Sequence, residues 1–202
     1  MKNYERYKKM TSEKYNRRGI SYLLMGAPAN HFVVPYLTGI HNERILDVGI
    51  GYGRWYDDYF LRDNSVTGYD INPELGKELG IEIICGNATE LMALNQKYDR
   101  VVSFFMTEYL NADELRDFVK GAFSCLKPGG VLGFSIIVDK GVGKLYVSGA
   151  RIKGIKKYAY DENVIVGILD DTGVHNRSIK LINSIFNRRF AAWIELKNEK
   201  EK

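Results

Sequence analysis

A chain of 202 residues, 45% hydrophobic and 27% charged, has the composition of one globular domain with a substantial core and excludes a disordered or fibrous protein. A net charge of +4 and a sequence pI near 8.9 give only weak attraction to anionic partners. The longest apolar window, 20–37, is interrupted by Pro28, Asn30, His31 and Pro35 and cannot be a membrane span, and 2–18 is too polar for a secretory signal. A cytoplasmic protein is expected, with Cys85 and Cys125, both inside apolar patterns, as buried free thiols of a reducing compartment.

Residues 1–18 are basic, with Tyr4, Tyr7, Met10 and Tyr15 at loosely helical spacing, and read as a surface helix with one apolar face. From 19 to 39 the chain is apolar and broken by Gly26, Pro28 and Pro35, which predicts helix, turn and a second short helix such as 32–37. This leading segment is either a cover on the sheet or a lid over a ligand. Strand one is expected at 44–48, a glycine-rich turn follows, and 52–61 reads as a helix with Trp55, Tyr59 and Phe60 on one side. Strand two, 65–69, ends at Asp70, and Pro73 opens the next helix. Strand three is 81–85, followed by Gly86-Asn87-Ala88-Thr89.

Strand four, 98–105, carries the buried run Val101-Val102-Ser103-Phe104-Phe105 and leads into Met106-Thr107-Glu108-Tyr109-Leu110. Asn111-Ala112-Asp113-Glu114 is a capping box, and Leu115, Phe118, Val119, Ala122, Phe123 and Leu126 then recur at helical spacing. Lys127-Pro128-Gly129-Gly130 is expected to end that helix before strand five at 131–138. The stretch 139–157 is available to shape a pocket and holds the basic run Arg151, Lys153, Lys156 and Lys157. A short helix is expected at 161–172, with Val164, Ile165, Ile168 and Leu169 inward and Gly173 as its stop. The strands 178–186 and 190–197 are separated only by Asn187-Arg188-Arg189, which cannot cross a sheet, so they form an antiparallel hairpin.

Alternation of strand and helix implies right-handed crossovers. The predicted fold is α/β: a three-layer α/β/α sandwich whose seven-stranded sheet is mostly parallel, the last strand alone running antiparallel. One domain is expected, with 1–38 as cover or lid, 44–138 as a ligand-binding core, 139–157 as a substrate-side insertion and 158–198 as the closing helix and hairpin.

The turn after strand one is Gly49-Ile50-Gly51-Tyr52-Gly53. Three closely spaced glycines strip side chains from the backbone and let a ligand lie against it. A dinucleotide fingerprint needs glycine at position 54, where this chain has Arg54. A ligand without phosphates suits the turn better, and S-adenosylmethionine is one. Asp70, at the tip of the neighbouring strand, is placed to accept hydrogen bonds from both ribose hydroxyls; its other role would be to cap the following helix. Asn87 offers an acceptor to an adenine amino group, or is simply a turn residue. Beyond strand four, topology makes the loop carrying Glu108 and Tyr109 a substrate-side candidate, and His31 is another in the possible lid.

Four landmarks together, Asp47-Val48-Gly49-Ile50-Gly51-Tyr52-Gly53, Tyr69-Asp70-Ile71-Asn72-Pro73, Tyr98-Asp99-Arg100-Val101-Val102-Ser103 and Leu126-Lys127-Pro128-Gly129-Gly130, resemble those of the class I S-adenosylmethionine-dependent methyltransferases. The resemblance covers 44–138 closely and 158–198 by order of elements. It implies that Gly49, Gly51 and Gly53 pass under the methionine part of the cofactor and that Asp47 orients the turn. Asp70 would hold the ribose, Ile71 would pack on the adenine with Asn87 and Ala88 at its edge, and Ser103 and Phe104 would border the sulfonium. The family often has aspartate where Asn87 stands, which alters the adenine contact.

Methyl transfer needs alignment and exclusion of water, and a base only if the acceptor arrives protonated. No Asn-Pro-Pro-Tyr or Asp-Pro-Pro-Tyr follows strand four and no Pro-Cys dipeptide occurs, which speaks against the amino-methylating enzymes of adenine and glutamine and against cytosine C5 methylation. His31, His41 and His175 show no metal spacing. A small-molecule methyltransferase is the leading expectation. An RNA or protein methyltransferase using the basic run and a cofactor-binding scaffold without turnover are the alternatives; a nicotinamide oxidoreductase is disfavoured by Arg54.

Overall fold

The computed structural model describes residues 27–53, 55–152, 154–183 and 189–199. The expected surface helix at 1–18, Arg54, Lys153 and most of the hairpin connection lie outside the described residues. The elements in order are α1 (Ala27–Thr38), β1 (Arg44–Val48), α2 (Asp58–Asp63), β2 (Ser65–Asp70), β3 (Glu82–Cys85), β4 (Tyr98–Ser103), α3 (Ala112–Ser124), β5 (Leu126–Ile137), α4 (Gly141–Ile152), α5 (Glu162–Asp170), β6 (Arg177–Asn183) and β7 (Arg189–Lys197). Short 3-10 helices at Pro73–Leu79, Ala88–Ala93 and Thr107–Tyr109 fill the crossovers.

The seven strands form one sheet in the order β3-β2-β1-β4-β5-β7-β6. Every pairing from β3 through β5 is parallel. β7 is antiparallel to both neighbours, β5 and β6, so it alone is reversed, as the short hairpin connection requires. The order turns outward in opposite directions from β1 and β4. That switch point brings together the carboxyl ends of those two strands and opens a crevice beyond them.

Each face of the sheet has its own core. On one face Leu115, Phe118, Val119 and Ala122 of α3 and Ile165, Ile168 and Leu169 of α5 pack on Leu46, Val101, Leu132 and Phe134. On the other, Val33 and Leu37 of α1, Phe60 of α2 and Val147 of α4 pack on Ile45, Val102, Ile137 and Trp193. The three-layer sandwich follows from these two clusters.

Several local expectations are corrected. The helix after the glycine turn starts at Asp58, not 52, because Asp57 caps it by accepting from the Phe60 N–H, and the turn itself occupies the residues before it. α1 runs over Ala27–Thr38 with Pro35 inside it, longer than the second helix expected at 32–37, while the first expected helix falls outside the described residues. α3 keeps its capping box, with Asn111 accepting from Glu114 N–H and Glu114 accepting from Asn111 N–H, but it ends at Ser124. Leu126-Lys127-Pro128-Gly129-Gly130 already belongs to β5, where a register shift accommodates it. Pro73 opens a 3-10 helix. Val164 is exposed, and Cys85, near the sheet edge on β3, is exposed; only Cys125 is buried. The stretch 139–157 contains a whole helix, α4, that the sequence pattern did not reveal: its glycines, Gly141, Gly143 and Gly149, disguise the helical period. Gly143 is where the backbone comes closest, since a Cβ there would lie 2.1 Å from the Val138 carbonyl.

Candidate active site at the glycine turn

The turn between β1 and α2 is built from left-handed backbone. Gly49, Gly51 and Gly53 have φ of 78°, 54° and 57°, a region costly for any residue with a Cβ. A Cβ on Gly49 would also strike Met106 at 2.4 Å, and one on Gly53 would strike Leu79 at 2.3 Å. At Gly51 a Cβ would meet nothing closer than 4.0 Å. Gly51 is therefore glycine for its dihedral and faces open space. Hydrogen bonds from Gly49 N–H to the Tyr69 carbonyl (2.7 Å) and from Gly53 N–H to the Ile50 carbonyl (2.9 Å) lock the turn.

Asp70 ties the turn to β2. Its Oδ2 accepts from Gly51 N–H at 2.9 Å and its Oδ1 from Asn72 N–H at 2.8 Å. It is 3% exposed, and burial raises its pKa from the ordinary aspartate value. It is not the cap of the following 3-10 helix, whose cap position is Asn72. Asp47, on β1, is 2% exposed and accepts from the Tyr56 hydroxyl at 2.7 Å. Burial, with the charge of Asp70 nearby as a further cause, pushes its carboxyl up to about 7.

Among the described residues, two buried polar atoms here lack a hydrogen-bond partner: Asp47 Oδ1 and Ser103 Oγ. They sit at the carboxyl ends of adjacent strands, since Asp47 pairs with Val102 across the β1–β4 ladder. Buried polar atoms are normally satisfied. Unpartnered atoms beside two buried carboxylates mark a place short of donors and of positive charge. A ligand with an ammonium and a sulfonium supplies both. A pyrophosphate would add negative charge beside Asp47 and Asp70. The residues present therefore fit S-adenosylmethionine and fit a dinucleotide poorly.

The remaining candidates fall unevenly around this centre. Ile71 and Ala88 are half-buried next to Asp70 and Asn87. Asn87 caps the Ala88–Ala93 helix, its Oδ1 accepting from Thr89 N–H at 3.2 Å, so its turn role is realised. Phe104 is 6% exposed and stacks on Trp193 at 5.3 Å with 13° between planes, which makes it mainly a core ring. Its neighbour Phe105 is half-buried, with a positive φ of 57°. Left-handed backbone is a strained state for a bulky residue and is held here by a hydrogen bond from Phe105 N–H to Ser135 Oγ at 2.6 Å. His31 lies in α1; its side chain is outside the described residues.

Glu108 and Tyr109 lie on the Thr107–Tyr109 turn just past β4. Glu108 is 3% exposed and its Oε1 accepts from Lys157 Nζ and from the Tyr146 hydroxyl, each at 2.7 Å. Sequence reasoning found Glu108 and missed both partners. Tyr146 lies on α4, which the sequence pattern does not reveal, and Lys157, the last of the basic run, is 6% exposed. No group of three or more metal-ligating side chains occurs among the described residues.

Residues 45–130 match a family model described as a methyltransferase domain. Over that stretch, less than half of its length, the chain is similar to the methyltransferase-domain family. The match spans the turn, Asp47, Asp70, Asn87, Ser103 and Glu108, and stops before α4. Over 111 residues, 48% of this chain, it is 32% identical to an erythromycin 3''-O-methyltransferase of Saccharopolyspora erythraea, and the match covers 35% of that protein. The chain thus spans about a third of that curated relative's length. Among solved structures, the magnesium protoporphyrin IX methyltransferase of Synechocystis with bound S-adenosylhomocysteine superimposes with a TM-score of 0.72 at 16% identity, covering 98% of this chain and 95% of that one. A methyltransferase from Archaeoglobus fulgidus gives 0.67 at 20% identity, over 95% of this chain and 99% of its own. At these identities the structures establish the shared fold.

Proposed function

We propose that the chain transfers a methyl group from S-adenosylmethionine to a nucleophile of a small molecule. The observation that carries this reading is the pair of unpartnered buried atoms, Asp47 Oδ1 and Ser103 Oγ, above a turn of three left-handed glycines. Gly49, Gly51 and Gly53 would let the methionine part lie on bare backbone. Asp47 would face its cationic end, Asp70 would take the ribose hydroxyls on lone pairs not used by Gly51 and Asn72, and Ile71 and Ala88 would flank the adenine. When bound, the cofactor supplies an activated methyl group, and the chain's task is to align the acceptor and keep water out. The similarity over 48% of the chain to an erythromycin 3''-O-methyltransferase supports a small-molecule acceptor.

The basic run gives little support to a nucleic-acid substrate. Lys157 is turned inward on Glu108, and Lys156 lies over the Tyr158 ring at 5.2 Å, so the described part is not one continuous cationic face. The test is formation of S-adenosylhomocysteine when protein and S-adenosylmethionine are mixed with a panel of small hydroxyl, amine and thiol compounds. Product with a panel member supports the reading. Methylation only of bulk RNA or protein, with strong salt dependence, would replace it.

A further inference from the structure

Between α4 and the end of β4 lies a closed cluster that the cofactor site does not use. Lys157 Nζ donates to Glu108 Oε1 at 2.7 Å and also to the Tyr146 hydroxyl, and that hydroxyl donates to the same Glu108 oxygen at 2.7 Å. The ammonium lies 4.3 Å from the centre of the Tyr146 ring and 4.6 Å from that of Tyr109. Glu108 and Lys157 are buried, whereas Tyr146 and Tyr109 keep part of their surface exposed. Tyr158 N–H clamps the Glu108 carbonyl at 2.7 Å. A buried ion pair is a poor stabiliser, and apolar residues of the same size usually do as well. Folding alone therefore gives little reason to keep this one.

A line of rings joins the cluster to the glycine turn. Trp55, just past the turn, is 6.3 Å from Phe105; Phe105 stacks on Phe190 at 5.9 Å; Phe190 meets the edge of Tyr146 at 6.1 Å. The strained Phe105 backbone holds the middle of that line. Phe190 is 2% exposed, so Phe105, which is half-buried, is the ring of this pair that keeps reachable apolar surface, and at the far end stands a hydroxyl connected to a buried carboxylate.

We propose that Tyr146 is a catalytic residue that takes the proton of a neutral aromatic hydroxyl acceptor and relays it to Glu108, with Lys157 as the positioning residue. This rests on the methyltransferase reading above. As the acceptor oxygen bonds to the methyl carbon, the carbon–sulfur bond breaks and its electron pair stays on sulfur. The acceptor's proton passes to the Tyr146 oxygen while the tyrosine's own proton passes to the Glu108 carboxylate. The sulfonium charge and the carboxylate charge disappear together, and the Lys157 ammonium is unchanged. The acceptor ring lies against the half-buried Phe105, with Phe190 packed behind it.

The test uses 4-methylphenol, which is neutral near pH 7, and 4-nitrophenol, whose phenolate absorbs visible light. With S-adenosylhomocysteine present, wild-type protein is expected to bind 4-nitrophenol and to hold more of it as phenolate than free solution does at the same pH. Tyr146→Phe, which leaves the Glu108–Lys157 pair intact, should bind cofactor normally, lose that excess phenolate signal, and methylate 4-methylphenol at least about a hundredfold more slowly, with a much smaller loss on 4-nitrophenol. Glu108→Gln is expected to reproduce the pattern. Equal losses on both phenols, or an unchanged phenolate signal in both variants, would overturn the relay. Wild-type protein that binds cofactor but neither phenol would overturn the acceptor class. Failure to bind cofactor would count against the methyltransferase reading instead.

Discussion

At the scale of single residues, the two carboxylates of the turn carry the account. Asp70 holds Gly51 and Asn72 N–H groups and is proposed to take the ribose hydroxyls, so Asp70→Ala removes charge-assisted bonds on both sides. The expected loss is about 1.5–3 kcal/mol of cofactor binding, more than tenfold in affinity, with a folded protein. Calorimetry with S-adenosylhomocysteine checks it; an unchanged dissociation constant would reduce Asp70 to a brace for the turn. Asp47 yields a pH signature. Its folded carboxyl keeps its proton up to about 7, against an ordinary value of 3.8. Between those values the folded state binds more protons than the unfolded one, so this residue makes stability fall as pH rises from about 4 to about 7 and level off above. A cationic ligand favours the ionised form, so cofactor affinity is expected to rise with pH through the same upper region. Asp47→Asn should flatten both slopes; thermal unfolding and calorimetry between pH 5 and 8 that show the wild-type slopes in the variant would contradict this. These two aspartates and the three glycines were legible in the sequence because spacing and chemistry coincide there. Lys157 was not, because a lysine beside Lys156 reads as solvated until its partner, 49 residues away, is known.

At the scale of elements, α1 is where lid and cover were hard to separate. Its described side chains are built into the core: Val33 is fully buried, Leu37 is 4% exposed, and Phe32 and Tyr36 lie against Trp193 at 5.2 and 4.7 Å. Arg100 reaches from β4 to the Tyr36 hydroxyl at 2.8 Å while holding Glu43 through two bonds, pinning the helix to the sheet. Removing two fully buried aliphatic side chains alone costs roughly 3–6 kcal/mol, comparable with the total stability of many domains. A chain beginning at Gly39 is therefore expected to lose its cooperative unfolding transition. A truncated protein with a full transition and undiminished turnover would show α1 to be dispensable. The other elements were legible to the degree that they keep a clean period. α3 has one with its cap and was found almost to the residue; α4 has glycines in place of apolar positions and was missed. Strand ends were harder, as at β5, where the Lys127-Pro128-Gly129-Gly130 signal that stops helices sits inside a strand beside a register shift.

At the scale of the whole molecule, the seven-stranded sheet and its single reversed strand were predictable because connection length constrains topology more tightly than any local propensity does, whereas the strand order is a finding of the structure. The same topology places the ends of β1 and β4 side by side and makes the crevice beyond them the candidate site. No helix among the described residues is long and apolar enough to cross a membrane. The crevice is proposed to receive a cationic, phosphate-free cofactor. Titration calorimetry of the full chain with S-adenosylmethionine and, separately, with NAD tests it most directly. Micromolar or tighter binding of S-adenosylmethionine is expected, with none of NAD in the same range; micromolar binding of NAD with no heat from S-adenosylmethionine would overturn the assignment.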